Sequence, residues 1–205
     1  MKFLLFSDLH LDASVTLGGG ARAARRRREG LRQTLETILH VAVRERVDAI
    51  LCGGDLYEQE RFTPDTAGFL RASFQKVAPI PVYIAPGNHD WHGPRSLYAL
   101  NSWSSNVHVF ESDQLTAVTL GKGITLWGAA HRSPLQSDNF LRGFRVRGSG
   151  CRLALFHGAE VGFTGMVEAG ADAHAPFRVE DISLSGLRHA FLGHYHRPRH
   201  DEFLT

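Results

Sequence analysis

The chain has 205 residues, of which 43% are hydrophobic and 21% are charged, as is usual for a soluble globular protein. A chain of this length suits one domain, so we expect a single domain over residues 1–205. The net charge of +2 is far below that of a strongly basic, DNA-wrapping protein and excludes that class. It is compatible with a substrate that carries phosphate.

Cysteine usage and hydropathy bear on the compartment. Cys52 and Cys151 are too few for a disulfide framework and form no CxxC motif, so we expect a reducing, cytoplasmic environment. The opening MKFLLFS is too short for the apolar region of a signal peptide, because Asp8 interrupts it. No apolar stretch approaches the roughly 18–20 residues of a membrane span, so we expect no membrane association.

The first half of the chain is predicted to alternate between strands and helices. Residues 2–7 form a predicted buried strand, and the Arg-rich segment TLGGGARAARRRREG leads into a helix with apolar residues at helical spacing. VDAILCGG is the second predicted strand, TPDTAGFLRASFQKV a helix that begins at its Thr and Pro, and IPVYIAP the third strand. This order indicates βαβ units and a parallel sheet.

After residue 100 the pattern changes to short strands. VHVF, LTAVTL and ITLWGAA are predicted strands, and GKG between the last two indicates a hairpin. RLALFHG and HAFLGHYH are predicted to add two more. The whole chain therefore indicates an α/β fold with a pair of sheets rather than one doubly wound sheet.

Polar residues able to bind metal follow five of the predicted strands. Ligand sites in open α/β sheets assemble beyond the carboxyl ends of strands, so these residues can converge although they are distant in sequence. Imidazole is also the commonest neutral metal ligand in proteins, and the chain has 12 histidines. The residues are Asp8, His10, Asp55, Asn88, His89, His157, His194 and His196.

The spacing of these residues favours more than one metal ion. Asp8 and His10 are two residues apart, as are His194 and His196, so in extended chain each pair points to one side with about 6.6 Å between its members. These candidate ligands exceed the needs of one tetrahedral site, and a centre with two metals about 3.5–4 Å apart is the natural count. Mixed nitrogen and oxygen donors suit Mn²⁺, Fe or Zn²⁺ better than Ca²⁺.

Structural alternatives exist for several of these residues. A single histidine is more often a hydrogen-bonded structural residue than a ligand, and Asp55 after two glycines also suits a turn. For His131, packing is favoured over contact with substrate. The run Arg25–Arg28 fits either a solvated helix face or a contact with phosphate, and the sequence leaves both open.

Five blocks, SDLHL, GGDLY, GNHD, FHG and GHYH, resemble in order the motifs of the calcineurin-like metallophosphoesterases. Within that superfamily, SDLHLD, VDAILCGGDLYE, PVYIAPGNHD and HAPFRVEDI resemble the SbcD-type DNA repair exonucleases. The resemblance implies the four-layer metallophosphoesterase fold, in which two mixed β-sheets form a sandwich flanked by helices. It covers nearly the whole chain.

The resemblance also implies a dinuclear centre with two divalent metal ions. Manganese is expected, with Fe, Zn or Mg as alternatives, and Asp55 would bridge the two ions. His89 would be the general acid that protonates the leaving alkoxide, and Asp90 would orient it. Asp8, His10, Asp55 and His196 would hold one ion, and Asp55, Asn88, His157 and His194 the other.

The expected function is therefore metal-dependent phosphodiester hydrolysis by an SbcD-type exonuclease or endonuclease core that acts on DNA in repair. The alternatives are a small-substrate phosphodiesterase that takes cyclic nucleotides and a phosphoprotein phosphatase. A non-catalytic scaffold is disfavoured because every ligand block is intact. The chain stops at RHDEFLT, whereas SbcD-type proteins continue into a capping domain and helices that dock on an SMC-like ATPase. We expect the chain to be a nuclease core that lacks those regions. An SMC-like ATPase is an expected partner, and it would bind through the regions that this chain lacks. A homodimer is a further expectation.

Overall fold

The computed structural model describes residues 1–14, 20–135, 138–162, 174–196 and 200–205. The first half of the chain forms a sheet in the order β1-β2-β3-β4. Every pairing in it is parallel, because a helix crosses between each strand and the next. The elements are β1 Phe3–Phe6, α1 Gly20–Arg44, β2 Ala49–Cys52, α2 Pro64–Lys76, β3 Val82–Ile84, α3 Leu97–Leu100 and β4 Val107–Val109.

The second half forms a mixed sheet in the order β5-β6-β7-β8. The predicted GKG hairpin is confirmed, since β5 and β6 pair antiparallel. β7 then pairs parallel with β6, and β8 parallel with β7. The elements are β5 Thr116–Gly121, β6 Ile124–Gly128, β7 Cys151–His157, α4 Val179–Leu184 and β8 His189–Gly193.

The two sheets face each other, with helices on both outer sides. Successive side chains of a strand point to opposite faces of the sheet. Ile50 accordingly packs with Leu35 of α1, whereas its neighbour Leu51 lies in a cluster with Leu155 of β7. On the far side of the second sheet, Phe156 packs with Ile182 of α4. The layers are thus α1 and α2, the first sheet, the second sheet and α4, which confirms the predicted sandwich.

The sequence explains the burial and placement of the helices. Leu35, Leu39 and Ala42 of α1 recur at helical spacing and are buried, as the amphipathic pattern predicts. α2 begins where predicted, with Thr63 as N-cap and Pro64 at its first position. In the described part of the chain, no helix combines the length and hydropathy needed to span a membrane.

Candidate metal centre

The first three strands end at one edge of the sheet, and the loops that follow β1 and β2 are joined there. The amide of Asp8 donates to the carbonyl of Gly54 at 3.0 Å, and that of His10 to the carbonyl of Asp55 at 2.9 Å. Asp8, His10 and Asp55 have φ values of 55°, 48° and 51°. Left-handed backbone is uncommon for residues other than glycine and tends to occur at functional sites. The strained loops turn these side chains into the space beyond the strands.

One group of donor atoms joins the loop after β1 to the segment after β8. His10 Nε2 lies 3.2 Å from His196 Nε2, and His196 Nε2 lies 3.7 Å from Asp8 Oδ1. The donor atoms of these three residues all lie within 4.8 Å of one another. Two imidazole nitrogens and a carboxylate oxygen at this separation can coordinate a single divalent cation.

A second group shares Asp8 and lies deeper between the sheets. Asp8, Asp55 and His157 also have donor atoms within 4.8 Å of one another. Asp55 Oδ2 is 3.3 Å from His157 Nε2 and 3.7 Å from His10 Nε2. The Asp55 carboxylate therefore lies beside both groups, as a bridging ligand would. His194 Nδ1 lies beside this group, at 3.3 Å from His157 Nε2.

Asn88 gives an independent test of whether the site fits a metal ion. Its Oδ1 is buried and has no hydrogen-bond partner among the residues that the structure describes. A buried acceptor without a partner is costly and calls for an explanation such as an ion. Imidazole, carboxylate and amide donors together fit divalent cations of the transition series. The residues present therefore fit the expected metal ions.

The orientation of His157 is fixed across the two sheets. Its Nδ1–H donates to the carbonyl of Gly53, at the end of β2, over 2.9 Å. This bond sets the tautomer and leaves the Nε2 lone pair directed at Asp55, the form that a metal ligand needs. The ring has no exposed surface, so it lies on the buried side of the centre.

The close packing around residue 87 explains why the GNHD block begins with a glycine. A Cβ built at this position would lie 2.3 Å from Asp55 Oδ1 and 2.9 Å from His157 Cγ. No side chain fits in that space without displacing the groups of the centre. The loop after β3 can therefore approach the other ligand loops only with glycine at residue 87.

Glu58 contacts two of the candidate site residues, and the sequence did not single it out. One of its carboxylate oxygens accepts from His10 Nδ1 at 2.8 Å, and the other accepts from His89 Nδ1 at 3.0 Å. Burial raises the Glu58 pKa, but the hydrogen bonds from these histidines outweigh that effect and lower it to about 2. The hydrogen bond with Glu58 raises the His89 pKa to about 9, against the lowering effect of burial. The only sequence signal was an acidic residue three positions after Asp55.

Asp90 is fully buried beneath these loops. Its carboxylate accepts from the amides of Gly87, Asp55 and Leu56 at 2.6, 3.0 and 2.8 Å, and from the Tyr98 hydroxyl at 2.5 Å. Burial, followed by the nearby Asp55, raises the Asp90 pKa to about 6. The sequence blocks implied that Asp90 orients the His89 ring. Among the described residues, no hydrogen bond joins the Asp90 carboxylate to that ring. Asp90 instead holds the backbone of the loop that carries His89.

The sequence alternatives for His131 are also resolved by its surroundings. Its Nε2–H donates to the carbonyl of His157 at 2.8 Å, and its ring packs edge-on against the His157 ring at 5.7 Å between centroids. His131 is 0% exposed, so packing rather than contact with substrate describes its position. It supports the backbone of a candidate ligand.

These features define a class of layered α/β proteins in which histidine and carboxylate side chains suited to divalent metal ions gather at strand ends. The family model for calcineurin-like phosphoesterases matches residues 1–198, and the chain belongs to this family. This confirms the superfamily expected from the five sequence blocks.

Two individual proteins show the extent of the similarity. The chain is 27% identical over 208 residues to the uncharacterized metallophosphoesterase YhaO of Bacillus subtilis (strain 168). The aligned region covers 96% of this chain and 49% of YhaO. The chain thus spans about half the length of this curated relative. The crystal structure of the Pseudomonas putida nuclease MPE matches 74% of this chain and 59% of its own, with 14% identity and a TM-score of 0.38.

Proposed function

We propose that this phosphoesterase hydrolyses phosphodiesters in nucleic acid, as an exonuclease or endonuclease core of the SbcD type that acts in DNA repair. The observation that carries the proposal is the convergence of Asp8, Asp55 and His157, from three separate strand ends, within 4.8 Å. The order and composition of the sequence blocks support the SbcD branch. Cytoplasmic location, an SMC-like ATPase partner and a homodimer stay predictions.

The residues that would hold two divalent cations are those of the two groups together with Asn88. When bound, such cations supply neutralisation of the phosphate charge and the activated water that hydrolysis needs. Manganese is the proposed ion. The proposed ligands are Asp8, His10, Asp55, Asn88, His157, His194 and His196.

His89 and Glu58 supply the proton transfer. The leaving alkoxide of a phosphodiester needs a proton, and a histidine positioned at the site can donate it. The Glu58 carboxylate engages His89 Nδ1, which fixes the ring and leaves Nε2 as the donating atom. The His89 side chain is 46% exposed, so it is open to substrate, unlike the buried His157.

Nuclease assays of the Mn²⁺-loaded protein test this proposal. We expect cleavage of end-labelled DNA and hydrolysis of the small diester bis(p-nitrophenyl) phosphate. His89→Ala should keep its bound metal, measured by elemental analysis, yet cleave DNA at least about a hundredfold more slowly, the usual contribution of a general acid. His40→Ala, an exposed histidine of α1, is the matched control and should cleave at the wild-type rate.

The same assays separate the alternatives. Intact DNA together with consumed cyclic nucleotide would replace the nuclease by a small-substrate phosphodiesterase. Release of phosphate only from phosphoserine peptides would indicate a protein phosphatase. Silence of the metal-loaded protein on every phosphate ester would leave only the scaffold.

A further inference from the structure

The start of α1 concentrates the positive charge of the chain. Residues 20–32 contain six arginines and one glutamate, a net charge of +5. Because the whole chain has a net charge of +2, the other residues together have a net charge of −3. Arg22, Arg25, Arg28 and Arg32 recur every three or four residues and so lie on one face of the helix. A charged helix face is often only solvated. The contacts around this face therefore determine whether it could bind a ligand.

Part of this face is used to hold the fold together. Arg28 Nε lies 2.9 Å from Asp12 Oδ1, and Arg28 also contacts Asp65 at 3.1 Å. Arg32 contacts Asp65 at 2.7 Å and lies 4.7 Å from the centre of the Phe69 ring. These two arginines tie α1 to α2 and to the loop after β1, so their charges are largely matched by carboxylates.

The charges of three nearby arginines are not matched by buried carboxylates. Arg22 and Arg61 are exposed and have no ion-pair partner within the ranges that the structure describes. Arg25 pairs with Glu29 at 2.8 Å, but both side chains are more than half exposed, at 82% and 54%. Such surface pairs contribute little and are readily exchanged for another anion. Three arginines are therefore available to bind an external negative charge.

Arg25 and Arg61 line a groove of about 440 Å³ between α1 and the loops after β1 and β2, and Arg22 lies about one turn of α1 before Arg25. Its lining includes Asp12, Arg25, Arg28, Arg61 and Thr63. The side chain of Asp12 is only 8% exposed, and its carboxylate also accepts from the Thr66 hydroxyl. Among the described residues of the lining, the one acidic group is thus buried and paired, and their accessible charge is positive.

The groove adjoins the candidate metal centre. Asp12 follows His10 by two residues, so their Cα atoms are within about 7.6 Å of each other. On the other wall, the amide of Arg61 donates to the carbonyl of Glu58 at 3.0 Å, and the amide of Glu58 donates to the carbonyl of Leu11 at 2.9 Å. The groove therefore begins directly beside the centre, where a strand with one phosphate at the centre would place its neighbouring phosphates.

We propose that this groove binds the phosphate backbone of a nucleic-acid strand next to the phosphate at the metal centre. The inference rests on the proposed function and makes it more specific, because a cyclic nucleotide has no second phosphate to reach Arg25 and Arg61. Contacts with phosphate carry no sequence information, so the binding is independent of base sequence. The paired Arg28 and Asp12 fix the wall of the groove before the strand binds.

Binding of a fluorescently labelled single-stranded DNA to the metal-free protein, followed by anisotropy at several salt concentrations, tests the inference. The variant Arg22→Gln/Arg25→Gln/Arg61→Gln should bind at least about tenfold more weakly at low salt. The slope of log affinity against log salt should fall by about two, since each phosphate contact with a single strand contributes about 0.7. All three side chains are exposed, so the melting temperature should stay within a few degrees of the wild type, which shows that the variant is folded.

The control has the same change in net charge in the segment before β7, which packs with α4 on the outer side of the second sheet. Arg142→Gln/Arg145→Gln/Arg147→Gln replaces three exposed arginines before the start of β7 and should bind DNA as the wild type does. Unchanged DNA binding by the groove variant, equal loss in both variants, or no binding by the wild type would overturn the inference. Hydrolysis of bis(p-nitrophenyl) phosphate by the wild type reports on the proposed function separately, because that small diester does not need the groove.

Discussion

Glu58 connects the candidate ligand His10 and the candidate acid His89 through the two oxygens of one carboxylate. Charge-assisted hydrogen bonds of this kind are about twice as strong as neutral ones. A change at Glu58 should therefore affect both metal affinity and proton transfer. This coupling makes Glu58 a sharper probe of the mechanism than removal of a ligand, which would abolish metal binding outright.

Glu58→Gln tests this role, because glutamine keeps the size of the side chain but has no charge and only one acceptor oxygen. We expect DNA cleavage by the Mn²⁺-loaded variant to be about 10–100-fold slower, the usual effect of losing a partner of a metal ligand. The loss should be smaller on bis(p-nitrophenyl) phosphate, since p-nitrophenolate leaves with little need of a proton. Glu60→Gln, an exposed neighbour, should match the wild type. Equal losses on both substrates would mean that Glu58 does not act through the proton that His89 donates.

The sequence predicted residues that the structure brings together, but it did not predict how they are held. Asp8, His10, Asp55, His157 and His196 could be found because each lies at or just after a strand end, and parallel strand ends converge. Glu58 was missed because its role depends on two rings meeting across separate loops, which local spacing does not encode. For Asp90 the backbone amides that it binds belong to residues 34 and 35 positions away as well as to its own loop. Such contacts are set by the tertiary fold alone.

At the scale of elements, the tight loop after β3 is the most constrained connection of the centre. Gly87→Ala should destabilise the protein by about 1–3 kcal/mol, the usual cost of forcing extra volume into packed surroundings, since the new methyl would meet Asp55 Oδ1 at 2.3 Å. Urea unfolding measures the change, and cleavage of DNA should fall with it. Gly68→Ala is the control, because its Cβ meets nothing within 4 Å.

The control should shift stability in the opposite direction. Gly68 lies inside α2, where alanine is favoured over glycine by roughly 0.5–1 kcal/mol. A Gly87→Ala protein as stable and active as the wild type would show that the loop can move away from the ligands. The explanation of GNHD given above would then be wrong.

Strands and long helices were predictable because their signals are local. The amphipathic period of α1 and the capping residues of α2 indicated both helices, and apolar runs indicated the strands. The four-residue helix α3, Leu97–Leu100, escaped prediction because it is too short to show a period. The wholly parallel pairing of VHVF with β3 was likewise not specified, since a three-residue strand carries no signal for its neighbour.

At the scale of the whole molecule, the centre lies where the two sheets meet. His157 of the second sheet donates to Gly53 at the end of β2. A Cβ at Gly193, the last residue of β8, would lie 2.3 Å from the carbonyl oxygen of Gly53. Candidate ligands from the ends of β1, β2 and β3 thus face candidate ligands from β7 and β8 across a backbone contact that leaves no room for side chains. A metal ion bound between them would join the two sheets.

Mn²⁺ should therefore stabilise the fold as well as activate it. A ligand that binds only the native state at a hundred times its dissociation constant contributes about 2.7 kcal/mol, which raises the melting temperature of a domain of this size by roughly 5–10 °C. Differential scanning calorimetry with Mn²⁺, and again after EDTA, measures the rise and its reversal. Asp55→Asn should lose most of the response, since Asp55 Oδ2 lies 3.7 Å from His10 Nε2 and 3.3 Å from His157 Nε2. Asp138→Asn, an exposed carboxylate that pairs only with Arg142 among the described residues, should keep the full response. An identical shift in wild type and Asp55→Asn would place the metal elsewhere, because the Asp55 carboxylate lies beside both groups of donor atoms.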